Sequence, residues 1–455
     1  MTSPSRGAGE SSSLSRGRDR RGPRLTDMSE WLMRRRFAAH QWWSSLRRLS
    51  SDAVLYGLAA LFSLGMGIVS SDNAQWHWDF LAVGPYALAA VLAVLCARVS
   101  SRRETKVRLA LLGLVIFGAV LLPLAMEVHW RTEEPTRGFA QPEVLVIERS
   151  AADILKGETP YQSYWRNGHL VNRVPHVPAY ESFFPYFPLM SIFGLASAED
   201  GNTSPLSDAR VVMTFMTLAT TGAALALLRA SRRQKIRVAQ FLVALPTGAL
   251  FLATGGDDMP ILALSLLGVV ALQRRANNMA GISLGIAAAM KLTAWPMALG
   301  ALLVARDEEG LAAWRRVALW MVVIFGVTVL PFAVSSPFAF MSNVVAFPLG
   351  LAHVASPAAS PLPGYLLTHL WAPIGHLLTP LTLLVGGYFA TRFARRHWPL
   401  NLSQLLAIMA IFSMALICVA SATRVGYVIY PLNFALWSRV VANVPEPARE
   451  LEIVA

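Results

Sequence analysis

The feature that most constrains this chain is a series of apolar blocks, each close to twenty residues long and almost free of charge. Residues 53–69, 81–97, 109–126, 211–228 and 317–334 are the clearest. At ~1.5 Å per residue, a helix of that length covers a hydrocarbon core of ~30 Å. Inside lipid each backbone N–H and C=O needs an internal partner, so repeated blocks of this kind fold as spanning helices. Only 15% of the residues are charged, against about 25% in a soluble domain. The shortfall comes from many spans and not from one large core. The expected fold class is an all-α polytopic membrane protein.

Charge gives the direction of each span. The formal net charge is +13, carried by 36 Arg and four Lys (Lys106, Lys156, Lys235 and Lys291). Residues 1–50 hold 11 Arg against four acids, Glu10, Asp19, Asp27 and Glu30. They read as a disordered basic cytoplasmic tail, with a Trp-bearing stretch at 31–48. That stretch suits a positive-inside topogenic segment, with an amphipathic helix on anionic lipid as the alternative. Nucleic acid is not an expected partner. No cleavable signal segment is expected, since the first apolar run starts at residue 53. Cys96 and Cys418 both fall in apolar spans and indicate neither a disulfide nor a metal site.

With the N-terminus inside, 53–69 goes out, 81–97 returns, and 109–126 goes out again, leaving 127–208 as the main extracytoplasmic loop. Within it, 183–198 is apolar but interrupted by Pro185 and Pro188, and reads as re-entrant or interfacial. The blocks 211–228, 238–253 and 259–272 then alternate in, out and in. Residues 280–305 decide the second half. As one span kinked at Pro296, they would put Arg306, Arg315, Arg316, Arg392, Arg395 and Arg396 outside. As two short crossings, 280–292 and 294–303, meeting near Lys291, they put all six inside. The broken pair is therefore expected. Residues 317–334 follow, then a second outer loop at 335–373, and 374–389, 402–420 and 427–437 complete about 12 crossings. This places 31 of the 40 Arg and Lys on the cytoplasmic side, with both termini cytoplasmic. Residues 51–455 form a single transmembrane domain in this reading, with no visible internal repeat.

Polar groups at the outer ends of the spans are the functional candidates. Residues 141–161 read as an amphipathic helix carrying Glu143 and Glu148 and ended by Gly157 and Pro160. Either carboxylate suits a general base, and both also suit an ordinary solvated face. Residues 175–188 bring His176, Tyr180, Glu181, Phe183, Phe184 and Tyr186, which fit a sugar-stacking surface or an interfacial aromatic belt. Gly255-Gly-Asp-Asp-Met-Pro260 places Asp257 and Asp258 where they could hold a substrate or cation, or cap a helix. Lys291 lies deep in an apolar stretch beside Thr293 and Trp295. It either snorkels or meets an anionic lipid head group.

These stretches resemble glycosyltransferase family 87, polytopic enzymes of the GT-C superfamily that use polyprenyl-phosphate sugars, many of them actinobacterial mannosyltransferases. Residues 143–161 are similar to the family's acidic-start helix ending in Gly-x-x-Pro-Tyr. Phe184-Pro-Tyr-Phe-Pro-Leu189 resembles its aromatic-proline segment. Ala280-Gly-Ile-Ser-Leu-Gly-Ile-Ala-Ala-Ala-Met-Lys-Leu-Thr-Ala-Trp-Pro296 resembles its Ala-Gly-x-x-x-Gly-x-Ala-x-x-x-Lys signature and is the most specific of the three. The family's first motif opens with Asp where this chain has Glu143, and two spans precede the catalytic loop's own span.

The resemblance implies transfer of a mannose-like hexose from a polyprenyl-phosphate donor to an envelope glycolipid or glycan hydroxyl, on the outer face of a bacterial plasma membrane. It implies Glu143 or Glu148 as base, and Lys291 and Arg424 on the donor phosphate. Asp257, Asp258, His176, Tyr180, Tyr186 and Tyr427 are then the expected substrate contacts. The expected partners are membrane lipid, the lipid-linked donor and the acceptor. No metal site is assigned, and a divalent metal is optional. The competing classes are a lipid or solute transporter or flippase, which would usually carry internal repeats, and a non-catalytic envelope-assembly protein.

Overall fold

Apolar blocks joined by short polar turns fold into helices packed side by side, and the computed structural model shows this arrangement. It describes residues 49–443 apart from 98–100, 135–136, 168, 173, 175–176, 202–203, 353, 355–357, 359 and 397. The tail expected at 1–50 thus lies outside the described residues, except for its last two. Among the described residues, seven helices are long and apolar enough to cross a membrane, and a pair bent by 46°, Arg232–Ala244 with Pro246–Thr254, makes an eighth. The sheet content among the described residues is one hairpin, Ser163–Arg166 paired antiparallel with His169–Asn172.

The chain opens with α1 (Leu49–Val69) and α2 (Asn73–Leu95), a tightly packed antiparallel pair. Next, α3 (Ser101–Ile116) continues through a π-helical turn at Phe117–Leu121 into α4 (Leu122–Glu133). This helix runs past residue 127, where the outer loop was expected to begin, because Glu127 is buried against Arg210 and not solvated. The loop then holds α5 (Pro142–Leu155), which ends at Gly157 with φ +75°, as the sequence indicated. Residues 183–198 form no crossing helix: a 3₁₀ turn at Pro188–Gly194 leads into the six-residue α6 (Leu195–Asp200).

The remainder is α7 (Ala209–Leu227), the bent pair α8 (Arg232–Ala239) and α9 (Pro246–Thr254), α10 (Asp258–Gln273), α11 (Asn277–Ala288) and α12 (Trp295–Glu309). Then come α13 (Leu311–Thr328), α14 (Leu330–Ser335), α15 (Pro337–Phe340), α16 (Pro363–Leu370), α17 (Gly375–Arg396), α18 (Leu402–Val419) and α19 (Ile429–Ala442). Eight crossings meet the length that a bilayer demands. The other four expected ones are α10, α11, α12 and α19, of 16, 12, 15 and 14 residues. At ~1.5 Å per residue these cover only about 18–24 Å. Short helices are tolerated where protein surrounds them, and α10 is buried along nearly its whole length.

The broken pair at Lys291 is present, and its direction can be read from its contacts. Asn277, at the start of α11, donates to Glu309, at the end of α12, at 2.9 Å. The chain therefore rises along α11, turns at 289–294 and returns along α12. The α11 and α13 helices pack in parallel through Gly281 and Gly285: a Cβ on Gly281 would lie 2.7 Å from the Val317 carbonyl, and one on Gly285 would lie 3.0 Å from the Met321 Cα. This is the small-xxx-small contact that lets helix backbones approach in lipid. The two signature glycines thus position the helix that delivers Lys291.

The basic loops gather at one end of the bundle. There Arg233 pairs with Glu104 and Arg237 with Asp52, Gln273 holds the Arg229 backbone, and Asp307 and Glu308 accept from the amides of Leu400 and Leu402. The expected outer segments meet at the other end. Cysteines placed at the exposed Ala312 and Arg395 should accordingly be labelled from one side of the membrane, and one at Glu158 from the other. Labelling of Ala312→Cys from the same side as Glu158→Cys would overturn this arrangement.

Candidate functional site

A helix break in an apolar bundle frees backbone carbonyls that need partners. At the turn after α11, the Trp295 indole donates to the Ala288 carbonyl at 3.0 Å, and the Phe187 amide donates to the Met290 carbonyl at 3.0 Å. The Phe187 and Trp295 rings stack with centroids 5.9 Å apart. The aromatic-proline segment therefore seals the break, leaving Lys291 extended between the two helices.

Lys291 Nζ lies 2.8 Å from Asp257 Oδ2 and 2.7 Å from Asp258 Oδ1. Tyr430 donates to the same Asp258 oxygen at 2.6 Å and contacts Thr293 Oγ1 at 3.2 Å. The ammonium also sits 5.4 Å from the Tyr186 ring centroid and 6.0 Å from that of Tyr427, within cation–π range. Asp257 occupies the position before α10 but makes no side-chain cap, and Asp258 is the first helical residue. Both carboxylates are therefore committed to Lys291 and Tyr430, which replaces the capping alternative. Burial, with Asp258 and Glu143 nearby, outweighs Lys291 and pushes Asp257 up to about 6.

A second ion pair adjoins this one. Glu143 Oε1 forms an ion pair with Arg424 Nη1 at 2.8 Å, while Glu143 Oε2 is buried without a hydrogen-bond partner. The start of α5 is held here by Gln141, whose amide reaches the Thr254 carbonyl at 3.0 Å and whose side chain reaches Thr254 Oγ1 at 2.8 Å. Gly255, at φ +103°, allows the approach: a Cβ there would overlap Val144 on α5 and Arg210 on α7. Tyr180, on the 3₁₀ turn Ala179–Ser182, is within electrostatic reach of both Glu143 and Arg424; its hydroxyl is pushed up first by burial and then by Glu181.

Glu148 stands elsewhere. Arg131 grips both its oxygens, at 2.6 and 3.0 Å, and the Ala209 amide adds a third bond at 3.2 Å. Arg131 also binds Asp208 at 2.7 Å, Arg210 binds Asp208 through two nitrogens at 2.9 and 2.8 Å, and Arg210 approaches Glu127 at 3.5 Å. Burial raises the Asp208 carboxyl, but Arg210 and Arg131 outweigh it and hold it down at about 2. This network ties α4, α5 and α7 together.

The structure thus brings Glu143, Arg424, Lys291, Asp257, Asp258, Tyr186 and Tyr427 into one cluster, with Tyr180 at its edge. It sets Glu148 in the adjoining network, and His176 lies outside the described residues. Sequence reasoning missed Tyr430 and the partners of Arg131 and Arg210. A signal for these was available: of the nine basic residues that depart from the positive-inside pattern, Arg131, Arg210, Lys291 and Arg424 each face a carboxylate with little exposure.

A bundle of apolar helices with a charged cluster buried at one end defines a multi-pass membrane protein with a buried polar site. The model of glycosyltransferase family 87 matches residues 186–421, just over half of the chain. The chain belongs to that family and is a membrane glycosyltransferase. The matched region includes Tyr186, the Asp257–Asp258 pair and the Lys291 break, and begins after the 143–161 stretch. No curated protein and no solved structure matches the chain.

Proposed function

We propose that this glycosyltransferase moves a mannose-like hexose from a polyprenyl-phosphate donor to a hydroxyl of an envelope glycolipid or glycan, on the outer face of a bacterial plasma membrane. The observation that carries this reading is the half-satisfied Glu143 carboxylate, with one oxygen on Arg424 and the other buried and unpartnered, in the same cluster as Lys291. In this reading Lys291 and Arg424 hold the donor phosphate. As Arg424 turns to the phosphate, the Glu143 carboxylate is released from its ion pair and can meet the acceptor hydroxyl. It takes the proton of the acceptor hydroxyl, whose oxygen attacks the anomeric carbon in line. The bond from that carbon to the phosphate oxygen breaks, and polyprenyl phosphate departs without needing a strong general acid. Both oxygens of Glu148 accept from Arg131, which supports a role in positioning α5.

The cluster carries two cations, Lys291 and Arg424, and three carboxylates, Glu143, Asp257 and Asp258, so a fully ionised site opposes an anionic donor. Asp257, with its carboxyl pushed up to about 6, is the group that can give way. Below that pH it binds a proton and frees Lys291 from one of its two charged partners. The donor KM should fall by roughly three- to tenfold between pH 7.5 and 5.5, and Asp257→Asn should remove that dependence. A donor KM that rises on acidification contradicts this.

The reading is tested in cells by comparing glycolipids and envelope glycans of a strain lacking the protein with those of complemented strains. One hexosylated product should disappear, return with the wild-type protein, and stay absent with Glu143→Gln. Identical profiles in all strains would overturn the reading.

A further inference from the structure

Lys291 faces two carboxylates at almost the same distance, Asp257 at 2.8 Å and Asp258 at 2.7 Å. The ion pairs alone therefore do not decide which carboxylate is left worse off when the ammonium turns to a phosphate. Their other hydrogen bonds do. Among the described residues, Lys291 is the one donor to the Asp257 side chain. Asp258 Oδ1 has a second donor, the Tyr430 hydroxyl at 2.6 Å. A hydroxyl carries a single hydrogen. Tyr430 commits its own to the carboxylate, so the 3.2 Å contact with Thr293 Oγ1 has Thr293 as its donor. The bonds run from Thr293 through Tyr430 to Asp258, and each polarises the next.

The Tyr430 hydroxyl is fixed from outside the pair. It stands on the second residue of α19, directly after the 3₁₀ turn Val425–Val428. Gly426 in that turn lies so close to Phe251 that a Cβ there would overlap its ring. Tyr430 is buried, whereas Thr293 is exposed and water can stand in for its hydroxyl. The other charged or titratable groups facing the two carboxylates are Glu143 on α5, Arg424 and Tyr427 before α19, and Tyr186 in the aromatic-proline segment. Among the described residues, none of these four hydrogen-bonds to either carboxylate. When Lys291 turns away, Asp258 thus keeps a donor, and Asp257 is left buried without one. A buried carboxylate in that position takes up a proton instead of staying charged.

We propose that Tyr430 is a positioning residue for donor binding: it holds Asp258 when Lys291 turns to the donor phosphate, and so directs the accompanying proton to Asp257. This rests on the lipid-phosphate reading above.

The test is binding of labelled hexose on a short-chain polyprenyl phosphate, without acceptor, to the protein in nanodiscs. This donor is a phosphodiester, so its own charge does not change over the pH range used. Tyr430→Phe keeps the ring and should raise the donor Kd at neutral pH about fivefold or more, with kcat within about twofold of wild type. In Asp257→Asn alone the Kd should not vary with pH. Adding Tyr430→Phe should bring the dependence back, as a fall of about threefold or more on acidification, because a carboxylate that loses a hydrogen bond to its charged form is easier to protonate. Thr293→Val should keep the wild-type pH response. A fluorinated tyrosine at position 430, a stronger donor of nearly the same shape, should lower the Kd. A merely structural Tyr430 would instead reduce turnover and the thermal unfolding temperature and leave the double variant independent of pH. That result, or a Kd that moves the same way with Phe and with fluorotyrosine, overturns the proposal. Wild-type protein with the expected pH response beside a flat double variant sinks this proposal alone. Wild-type protein that does not bind the donor sinks the lipid-phosphate reading and this proposal with it.

Discussion

Glu143→Gln should lower turnover by about 10²–10⁴-fold, with the donor KM and the thermal unfolding temperature close to wild type. The amide keeps the volume of the side chain and an oxygen for Arg424, which now lies 2.8 Å from Glu143 Oε1. It cannot take a proton at neutral pH, so only the step that needs a base is lost. Glu148→Gln should behave in the opposite way. It trades a carboxylate gripped by Arg131 and the Ala209 amide for a neutral group. It should therefore lose about 1.5–3 kcal/mol of stability and keep near-normal turnover per folded molecule. Steady-state kinetics and thermal unfolding on the same preparations separate the two. Normal turnover in Glu143→Gln, with loss in a stable Glu148→Gln, would move the base to the middle of α5.

Lys291→Met is the second large effect. It leaves Asp257 and Asp258 side by side in a buried site without their shared cation, and removing one partner of such a pair costs about 3–5 kcal/mol. The expected result is a strongly destabilised protein. Adding Asp257→Asn removes one of the two stranded charges and should recover most of the stability. The donor KM of that double variant should nevertheless stay at least tenfold above wild type, because the phosphate still lacks its ammonium. Recovery of stability and donor KM together would make Lys291 a structural residue.

Much of this was legible in the chain itself, for physical reasons that can be named. The long spans follow from apolar length, and the turn at Lys291 follows from the requirement that Arg306, Arg315, Arg316 and Arg392 share a side with the other basic loops. The short helices α10, α11, α12 and α19 were harder to read. A helix sheltered by protein has no bilayer thickness to match, so length no longer marks a crossing. The cluster was only half visible. Lys291 stood out as a charge in an apolar stretch, the Asp pair as carboxylates at a span end and Glu143 as one of two acids on an amphipathic helix, but their pairing depends on contacts between residues 33 or more positions apart. Tyr430 was missed because a tyrosine near a span end ordinarily reads as an interfacial residue. The Arg131–Glu148–Asp208 network was missed because a helix that continues through Glu127 to Glu133 looks, in sequence, like the beginning of a polar loop.

The most direct test of the charged cluster as a lipid-phosphate sugar site is donor choice by the purified protein in nanodiscs. Labelled hexose would be offered either on a short-chain polyprenyl phosphate or on a nucleotide, with octyl mannoside as the acceptor. Saturable transfer from the polyprenyl phosphate, none from the nucleotide sugar, and loss of transfer in Glu143→Gln is the predicted result. Transfer from the nucleotide sugar with none from the lipid donor would contradict it.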